Sequence, residues 1–299
     1  MSCKRSFGIM PLVLLAAALL LSSCAVGRYA RGPESSEIEA KAAGFDGILR
    51  AVNYHSSEKQ ISERRMLVYL PADYYADTAR HYPVLYLLHG ARGNEVTWID
   101  SSAVIQGLDS LRKAGAAGDF LVVLPNMNRY YSDKEYNNGH CLPAIRAFWL
   151  IDGEVERHFM KDVVEFTDKN FRTIPEKSAR AIAGMSSGAL QAIYLSAGHP
   201  DSFDYIGLFS PYAYPTFAAW GHPDVYGSLR KKLTLQFAEP PKLYCLYIGD
   251  KDIFYPHIRN FDRKLTQWGH PHRFTVTEGG HEWYNWEAFA LSFIQEIFR

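Results

Sequence analysis

Neither charge is in surplus in this sequence: 32 lysines and arginines balance 32 aspartates and glutamates among 299 residues. Nucleic-acid-binding proteins usually carry a basic surplus, so the balance argues against a nucleic-acid partner. The sequence also lacks a phosphate-binding P-loop, a dinucleotide fingerprint and the paired histidines of a zinc-protease helix. We therefore expect no cofactor and no metal site.

Long apolar runs are also missing, because a membrane-spanning helix needs about 20 apolar residues and no run is that long. The longest, Ile9–Leu21, follows Lys4 and Arg5 and precedes small residues. A basic start, a short apolar middle and a small-residue end are typical of a secretory signal. The end of the run, Leu21-Ser22-Ser23-Cys24, resembles the lipobox of bacterial lipoproteins. The alternative is an ordinary secreted protein with a cysteine near its cleavage site.

The lipobox resemblance implies a signal peptide over residues 1–23 and a lipid-anchored cysteine at Cys24. Ala25 is not the aspartate that retains many such proteins at the inner membrane, so the resemblance favours the outer membrane of a bacterial cell envelope. Residues 24–44 are small, polar and charged, which predicts a tether. No later linker or repeat follows, so we expect one domain over residues 45–299.

Cysteine is scarce, with four residues in the whole chain. On the lipobox prediction, Cys3 would leave with the signal peptide and Cys24 would carry lipid, which leaves Cys141 and Cys245. An oxidising compartment permits a disulfide between these two. Cys245, however, lies in a run that reads as a buried strand, so a small buried thiol is the other interpretation.

From about residue 45 onward, strand patterns alternate with helix patterns. This alternation predicts a mostly parallel sheet flanked by helices, with ligands bound beyond the carboxyl ends of the strands. The predicted strands are Arg65–Leu70, Tyr82–Leu88, Phe120–Leu124, Ala179–Ala183, Tyr205–Phe209, Leu243–Ile248 and Phe274–Thr277. The predicted helices are Val155–Phe171, Gly188–Ala197, Ile258–Trp268 and Trp283–Phe298.

One motif with chemical content, Gly184-Met185-Ser186-Ser187-Gly188, lies between a predicted strand and a predicted helix. In that context G-x-S-x-G forms a sharp turn that exposes a serine hydroxyl at a helix N-terminus. We expect only glycine to fit the positions that flank the turn. A plain glycine-rich turn with a capping serine is the alternative.

A serine hydroxyl needs a base, and the base needs an orienting carboxylate. In this architecture the chain order is serine, acid, histidine, each after a later strand. His281 follows the strand Phe274–Thr277, while Asp250 and Asp252 both follow Leu243–Ile248. The sequence thus predicts the nucleophile Ser186, the base His281 and one of two acids.

The reaction also needs donors for a developing oxyanion. One is the backbone N–H after the nucleophile, that of Ser187. The other should follow an early strand, where His89-Gly90-Ala91 makes Ala91 N–H the candidate. A plain glycine turn is the alternative there.

Several stretches, listed here, resemble the esterase branch of the α/β-hydrolases: Tyr82–Gly90, Val122–Asn126, Phe171–Thr173, Arg180–Ser186 and Gly279–Trp283. This branch includes feruloyl and acetylxylan esterases of carbohydrate esterase family 1, S-formylglutathione hydrolase and siderophore esterases. The resemblance implies an α/β-hydrolase fold and a serine ester hydrolase. Its Gly-x-x-Asp segment selects Asp252 over Asp250 as the acid. Ser187-Gly188 departs from the Met-Gly that is common after the nucleophile.

Two longer segments, Asn126–Asp152 and Ser210–Pro241, carry many aromatic residues and are too short for a separate lid domain. Aromatic rings over a site suit a phenolic acyl group or a sugar ring, although they can equally serve to fix a long loop. We expect these residues to contact the substrate: Asn126, Tyr130, Tyr131, Trp149 and Trp283.

The favoured substrate is a feruloyl or acetyl ester on plant polysaccharide. A siderophore esterase or an acyltransferase of the same fold is the alternative among enzymes. A glycan-binding lipoprotein without catalysis is the alternative from another class of protein.

Overall fold

An eight-stranded sheet forms the centre of the protein in the computed structural model, which describes residues 35–58, 61–91, 93–128, 153–215 and 221–299. The strands are β1 Ile48–His55, β2 Glu63–Leu70, β3 Val84–Leu88, β4 Leu121–Pro125, β5 Arg180–Met185, β6 Tyr205–Phe209, β7 Leu243–Gly249 and β8 Arg273–Thr277. Their order across the sheet is β1-β2-β4-β3-β5-β6-β7-β8. Among the described strands, only the pairings of β1 with β2 and of β2 with β4 are antiparallel. The sheet is therefore mostly parallel, as predicted.

Helices cover both faces of the sheet. They are α1 Ser35–Ala42, α2 Thr97–Asp100, α3 Val104–Lys113, α4 Glu154–Phe159, α5 Phe166–Asn170, α6 Ser187–Gly198, α7 Pro223–Tyr226, α8 Leu229–Gln236, α9 Tyr255–Gln267 and α10 Trp283–Ile294. Side chains alternate along the strands, so Tyr86 joins one apolar layer and Leu85 the other. The first layer, which contains Tyr86, packs under α4, α6, α8 and α9. The second layer, which contains Leu85, packs under α1, α3 and α10.

All predicted strands are present, with ends displaced by no more than two residues. Strand β1 was not predicted, because it lies at the sheet edge and its residues alternate irregularly between buried and exposed. The predicted helix Val155–Phe171 is interrupted by a π-helical segment, Met160–Glu165, between α4 and α5. There, Asp162 turns toward the β1–β2 connection and accepts hydrogen bonds from the Ser57 backbone N–H and side-chain hydroxyl.

The segment that we expected to be a tether contains helix α1, whose Ile38 is buried in the second layer. The sequence does not reveal this helix, because a helix with one buried apolar side chain shows no apolar periodicity. The signal peptide, Cys24 and the rest of the tether up to residue 34 lie outside the described residues. Cys245 is a buried free thiol in β7, whereas Cys141 lies outside the described residues. No helix among the described residues is both long and apolar enough to cross a membrane.

Candidate functional site

The parallel strands end at one edge of the sheet, and the predicted reactive residues meet there. Nε2 of His281 lies 2.9 Å from Oγ of Ser186, and Nδ1 of the same ring lies 2.9 Å from Oδ2 of Asp252. A carboxylate only accepts hydrogen bonds, so Nδ1 carries the proton and Nε2 accepts the serine hydroxyl. The structure thus brings Ser186, His281 and Asp252 into one relay across elements that are distant in sequence.

Ser186 holds the strained position of the turn between β5 and α6. Its φ of 53° and ψ of −114° lie in a region that non-glycine residues rarely occupy. Its N–H donates to the Phe209 carbonyl at the end of β6, and its carbonyl accepts the Leu190 N–H of α6. The strand and the helix thereby fix the backbone on both sides and leave the hydroxyl free to face His281.

The flanking glycines are required for close approach rather than for unusual dihedral angles. A Cβ on Gly188 would lie 2.4 Å from the His89 carbonyl oxygen, and one on Gly184 would lie 2.6 Å from the carbonyl carbon of Gly188. Neither glycine has a positive φ. Helix α6 therefore starts in direct contact with the backbone after β3, which brings the two predicted oxyanion donors to the same place.

Asp252 and Asp250 occupy contrasting environments after β7. Asp252 is only 3% exposed, and its second oxygen accepts the Phe254 N–H at 2.9 Å. Asp250 is exposed and accepts the Gly279 N–H at 3.0 Å, so it braces the loop that carries His281. The geometry therefore agrees with the choice of Asp252 and gives Asp250 a supporting position.

Asn285 stabilises the loop from β8 to His281, and the sequence analysis did not identify this residue. Its buried side-chain amide donates to the Gly280 carbonyl at 2.9 Å. Gly279 adopts a φ of 105°, which glycine accepts without steric cost. An asparagine in the first turn of a helix that follows a glycine pair is the sequence signal that would have identified it.

Two aromatic rings enclose the His281 imidazole. Phe254 and Trp286 lie edge to face with it, at centroid distances of 5.1 and 4.8 Å. Phe254 lies two residues after Asp252, and Trp286, which sequence reasoning missed, lies five residues after His281 on α10. Both rings restrict the imidazole, and the Asp252 carboxylate that it contacts is fully buried.

Both candidate oxyanion donors lie within the described residues. Ser187 is the first residue of helix α6, and Ala91 lies in the turn that follows β3. Among the described residues, neither N–H donates to a backbone carbonyl. Both N–H groups thus lack a backbone acceptor among the described residues, as the predicted oxyanion role requires.

We expected Asn126 to contact the substrate, but the position of its side chain does not fit that expectation. Its side chain is fully buried and donates to Oε2 of Glu95 at 2.7 Å, while its Oδ1 accepts the Asn128 N–H at 3.0 Å. A residue with no exposed surface cannot touch a substrate, so Asn126 instead braces the loop after β4. The sequence could not reveal this, because Glu95 pairs with it from a distant loop.

Trp283 is half-buried, with its ring packed edge to face on Trp98 and Trp286. It therefore lies one ring away from His281 and keeps some exposed surface. Tyr226, on the second aromatic segment, is buried and donates to Glu156, so it fixes its segment rather than facing a ligand. These predicted residues lie outside the described residues: Tyr130, Tyr131 and Trp149.

Two buried polar residues, His89 and Glu156, have shifted pKa values. Burial lowers the pKa of His89 to about 4. Burial also raises the pKa of Glu156, against the opposing hydrogen bonds from Tyr226 and Gln191. Within the described part of the chain, no group of three or more His, Cys, Asp or Glu side chains is placed to hold a metal ion.

Comparisons with known proteins identify the family. The model of the family described as "Putative esterase" matches residues 57–297. The chain is 26% identical over 275 residues to a protein of Xylanibacter ruminicola named endo-1,4-beta-xylanase/feruloyl esterase. That match covers 88% of this chain and 34% of the relative, so the chain spans about a third of the relative's length.

Solved structures give the same fold. A structure named ferulic acid esterase superposes with a TM-score of 0.67 at 25% identity, covering 84% of this chain and 99% of that one. An S-formylglutathione hydrolase of Staphylococcus aureus superposes with a TM-score of 0.62 at 16% identity, covering 84% and 98%. These likenesses confirm the predicted α/β-hydrolase fold.

Proposed function

Because the chain belongs to the esterase family that matches residues 57–297, we propose that it is a serine carboxylic-ester hydrolase acting through an acyl-enzyme. The observation that carries the proposal is the relay from Asp252 through His281 to Ser186, with both hydrogen bonds at 2.9 Å. A poor nucleophile, a base and an orienting carboxylate are the minimum for this chemistry, and each is held by a separate element of the fold.

In the acylation half, Ser186 Oγ attacks the ester carbonyl carbon while its proton passes to His281 Nε2. Asp252 accepts the Nδ1–H and stabilises the imidazolium that forms. The N–H groups of Ala91 and Ser187 bind the oxyanion of the tetrahedral intermediate. When the intermediate collapses, the bond to the alcohol oxygen breaks and His281 gives its proton to the departing alcohol.

In the deacylation half, a water molecule loses a proton to His281 Nε2 and its oxygen attacks the acyl carbon. The second tetrahedral intermediate uses the same oxyanion donors. Its collapse breaks the bond to Ser186 Oγ, which recovers the proton from His281. The products are a carboxylic acid and the free enzyme.

Labelling distinguishes this proposal from a glycan-binding protein that keeps the fold without the activity. A fluorophosphonate reacts only with an activated serine, so the wild type should be labelled and Ser186→Ala should not. Ser202→Ala, at a serine outside the relay, is the matched control and should keep full labelling. Failure of the wild type to label or to hydrolyse any simple ester would overturn the proposal.

The proposed substrate is a feruloyl or acetyl ester on plant polysaccharide. Support comes from the relative named endo-1,4-beta-xylanase/feruloyl esterase and from the structure named ferulic acid esterase. The half-buried Trp283, one ring away from His281, suits contact with a sugar or a phenolic ring. A panel of acetyl, butyryl and feruloyl esters, together with a catechol-acyl lactone and an alternative acceptor alcohol, tests the choice. A kcat/KM that is highest for the lactone, or acyl transfer that exceeds hydrolysis, would favour the siderophore esterase or the acyltransferase.

We also propose that the protein is anchored through lipid on Cys24 in the outer membrane of a bacterial cell. The lipobox Leu21-Ser22-Ser23-Cys24 and the following Ala25 support this localisation. Two or more acyl chains anchor stably where one does not. A radiolabelled fatty acid should be incorporated into the wild type and not into Cys24→Ser, and the labelled protein should fractionate with outer membranes. Labelling that persists in Cys24→Ser would contradict the anchor.

A further inference from the structure

The peptide between Gly90 and Ala91 carries the second predicted oxyanion donor, the Ala91 N–H. The Gly90 carbonyl oxygen of this peptide accepts two hydrogen bonds. The Gly90 oxygen lies 2.8 Å from Nδ1 of His89 and accepts the Gly93 N–H at 3.0 Å. A carbonyl oxygen only accepts hydrogen bonds, so Nδ1 of His89 is protonated and donates. The histidine next to the predicted donor is thus bonded to the same peptide unit as that donor.

Holding this carbonyl fixes the direction of the donor. In a trans peptide the C=O and N–H groups share one plane and point in opposite directions. The two hydrogen bonds to the Gly90 oxygen therefore determine where the Ala91 N–H points. The peptide lies beside the nucleophile turn, because a Cβ on Gly90 would be 3.5 Å from the Met185 carbonyl oxygen.

The His89 ring is itself fixed on its other side. Its Nε2 accepts the Met127 N–H at 2.9 Å, and the side chain is 3% exposed. Gly93 packs on the ring, since a Cβ there would lie 2.9 Å from Nδ1. The donor at one nitrogen and the acceptor at the other define a single neutral tautomer. The lowered pKa of His89 agrees with this tautomer, and Glu95 and Arg64 are the charged groups whose fields reach it.

We propose that His89 is a positioning residue, which orients the Ala91 N–H toward the oxyanion by holding the Gly90 carbonyl through Nδ1–H. The inference rests on the proposed ester hydrolysis. His89 does not touch the substrate, and its effect passes through the peptide plane alone. Fixed donors matter in acyl transfer because they need no reorganisation as charge develops.

Two substitutions separate the two ring nitrogens. The side-chain amide nitrogen of asparagine occupies nearly the position of Nδ1, so His89→Asn keeps a donor for the Gly90 carbonyl. The amide group of glutamine reaches the position of Nε2, so His89→Gln keeps the partner of Met127 and loses the donor to Gly90. Comparison of the two variants therefore distinguishes a role in orienting the Ala91 N–H from a role in filling the space that the His89 ring occupies.

We expect His89→Gln to lose about a hundredfold in kcat with little change in KM, the effect of losing one oxyanion donor. His89→Asn should stay within about tenfold of the wild type. The affinity for a boronic acid, whose tetrahedral adduct on Ser186 places an oxygen in the oxyanion site, should fall in His89→Gln by the same factor as kcat/KM. Equal losses in the two variants, or a boronic-acid affinity that does not follow kcat/KM, would overturn the role of His89.

A measurement on the wild type covers the case in which the variants do not fold. The ¹⁵N shifts of the His89 ring should report a neutral Nδ1–H tautomer from pH 5 to pH 8. An Nε2–H tautomer would overturn the inference, because it cannot donate to Gly90. A wild type that hydrolyses no ester would refute the proposed function instead, so the two failures are distinguishable.

Discussion

At the scale of single residues, Ser186 combines backbone strain with the proposed reactivity. Alanine at this position should lower kcat by at least about a thousandfold, because no covalent intermediate can form. The measurement is hydrolysis of a nitrophenyl ester, with circular dichroism to show that the variant is folded. Near-wild-type turnover by Ser186→Ala would refute the mechanism.

The two aspartates after β7 differ in burial and in partners, and their amide variants should differ accordingly. Asp252→Asn should lose at least about a hundredfold in kcat, because an amide in contact with Nδ1 favours the wrong tautomer of His281. Asp250→Asn should lose less than about tenfold, since it weakens only a bond to the loop. Steady-state kinetics of both variants gives the ranking, and the reverse order would move the acid to Asp250.

His89 also makes the stability of the protein depend on pH. Its pKa is about 4 in the folded protein against 6.5 for an exposed histidine. As the pH falls from 6.5 toward 4, the unfolded chain binds a proton at this site that the folded protein does not, so stability is lost over this window. The full difference corresponds to about 3 kcal/mol. Urea unfolding at pH 7 and pH 5 should show a loss of about 2 kcal/mol in the wild type from this group, absent from His89→Asn and His89→Gln. An equal loss in all three proteins would contradict it.

At the scale of elements, the site depends on how closely helix α6 approaches the end of β3. Gly188 and Gly198 lie at opposite ends of this helix and form a matched pair. A methyl group on Gly188 meets the His89 carbonyl at 2.4 Å, whereas one on Gly198 meets nothing within 4 Å. Gly188→Ala should therefore lose at least about 2 kcal/mol of stability through overpacking, together with most of the activity.

Gly198→Ala should change the free energy of unfolding by no more than about 1 kcal/mol and should leave kcat unchanged. Urea denaturation and ester hydrolysis of both variants make the comparison. If Gly188→Ala behaves like Gly198→Ala, the turn at Ser186 can move away from the loop after β3. Close approach would then not be the reason that position 188 requires glycine.

At the scale of the whole molecule, helix α1 is part of the folded domain. Ile38 is 2% exposed and packs in the same layer as Leu49, while Lys41 forms an ion pair with Asp100 at the end of α2. Ile38→Ala should cost about 2 kcal/mol, because it leaves a cavity under the helix. Glu37→Ala, an exposed neighbour on the same helix, should cost less than about 0.5 kcal/mol. Similar melting temperatures for the two variants would show α1 to be detached from the sheet.

The sequence by itself determined the fold class and identified the candidate reactive residues. Strand and helix periodicities are local properties, so seven of the eight strands in the described residues and the mostly parallel sheet could be predicted. Ser186 and His281 could be predicted because each follows a strand directly, and parallel strands end at a common edge. The periodicity missed β1, whose irregular burial at the sheet edge leaves no clear pattern.

Only the tertiary structure decided which groups meet. It placed Asp252 against His281 and Asp250 against Gly279, although the two carboxylates are two residues apart. It buried Asn126 against Glu95, joined His89 to Gly90 and Met127, and set Trp286 on the His281 ring. Contacts of this kind depend on the distance between segments far apart in the chain. Local propensity contains no information about that distance, because it is set by the packing of the helices on the sheet.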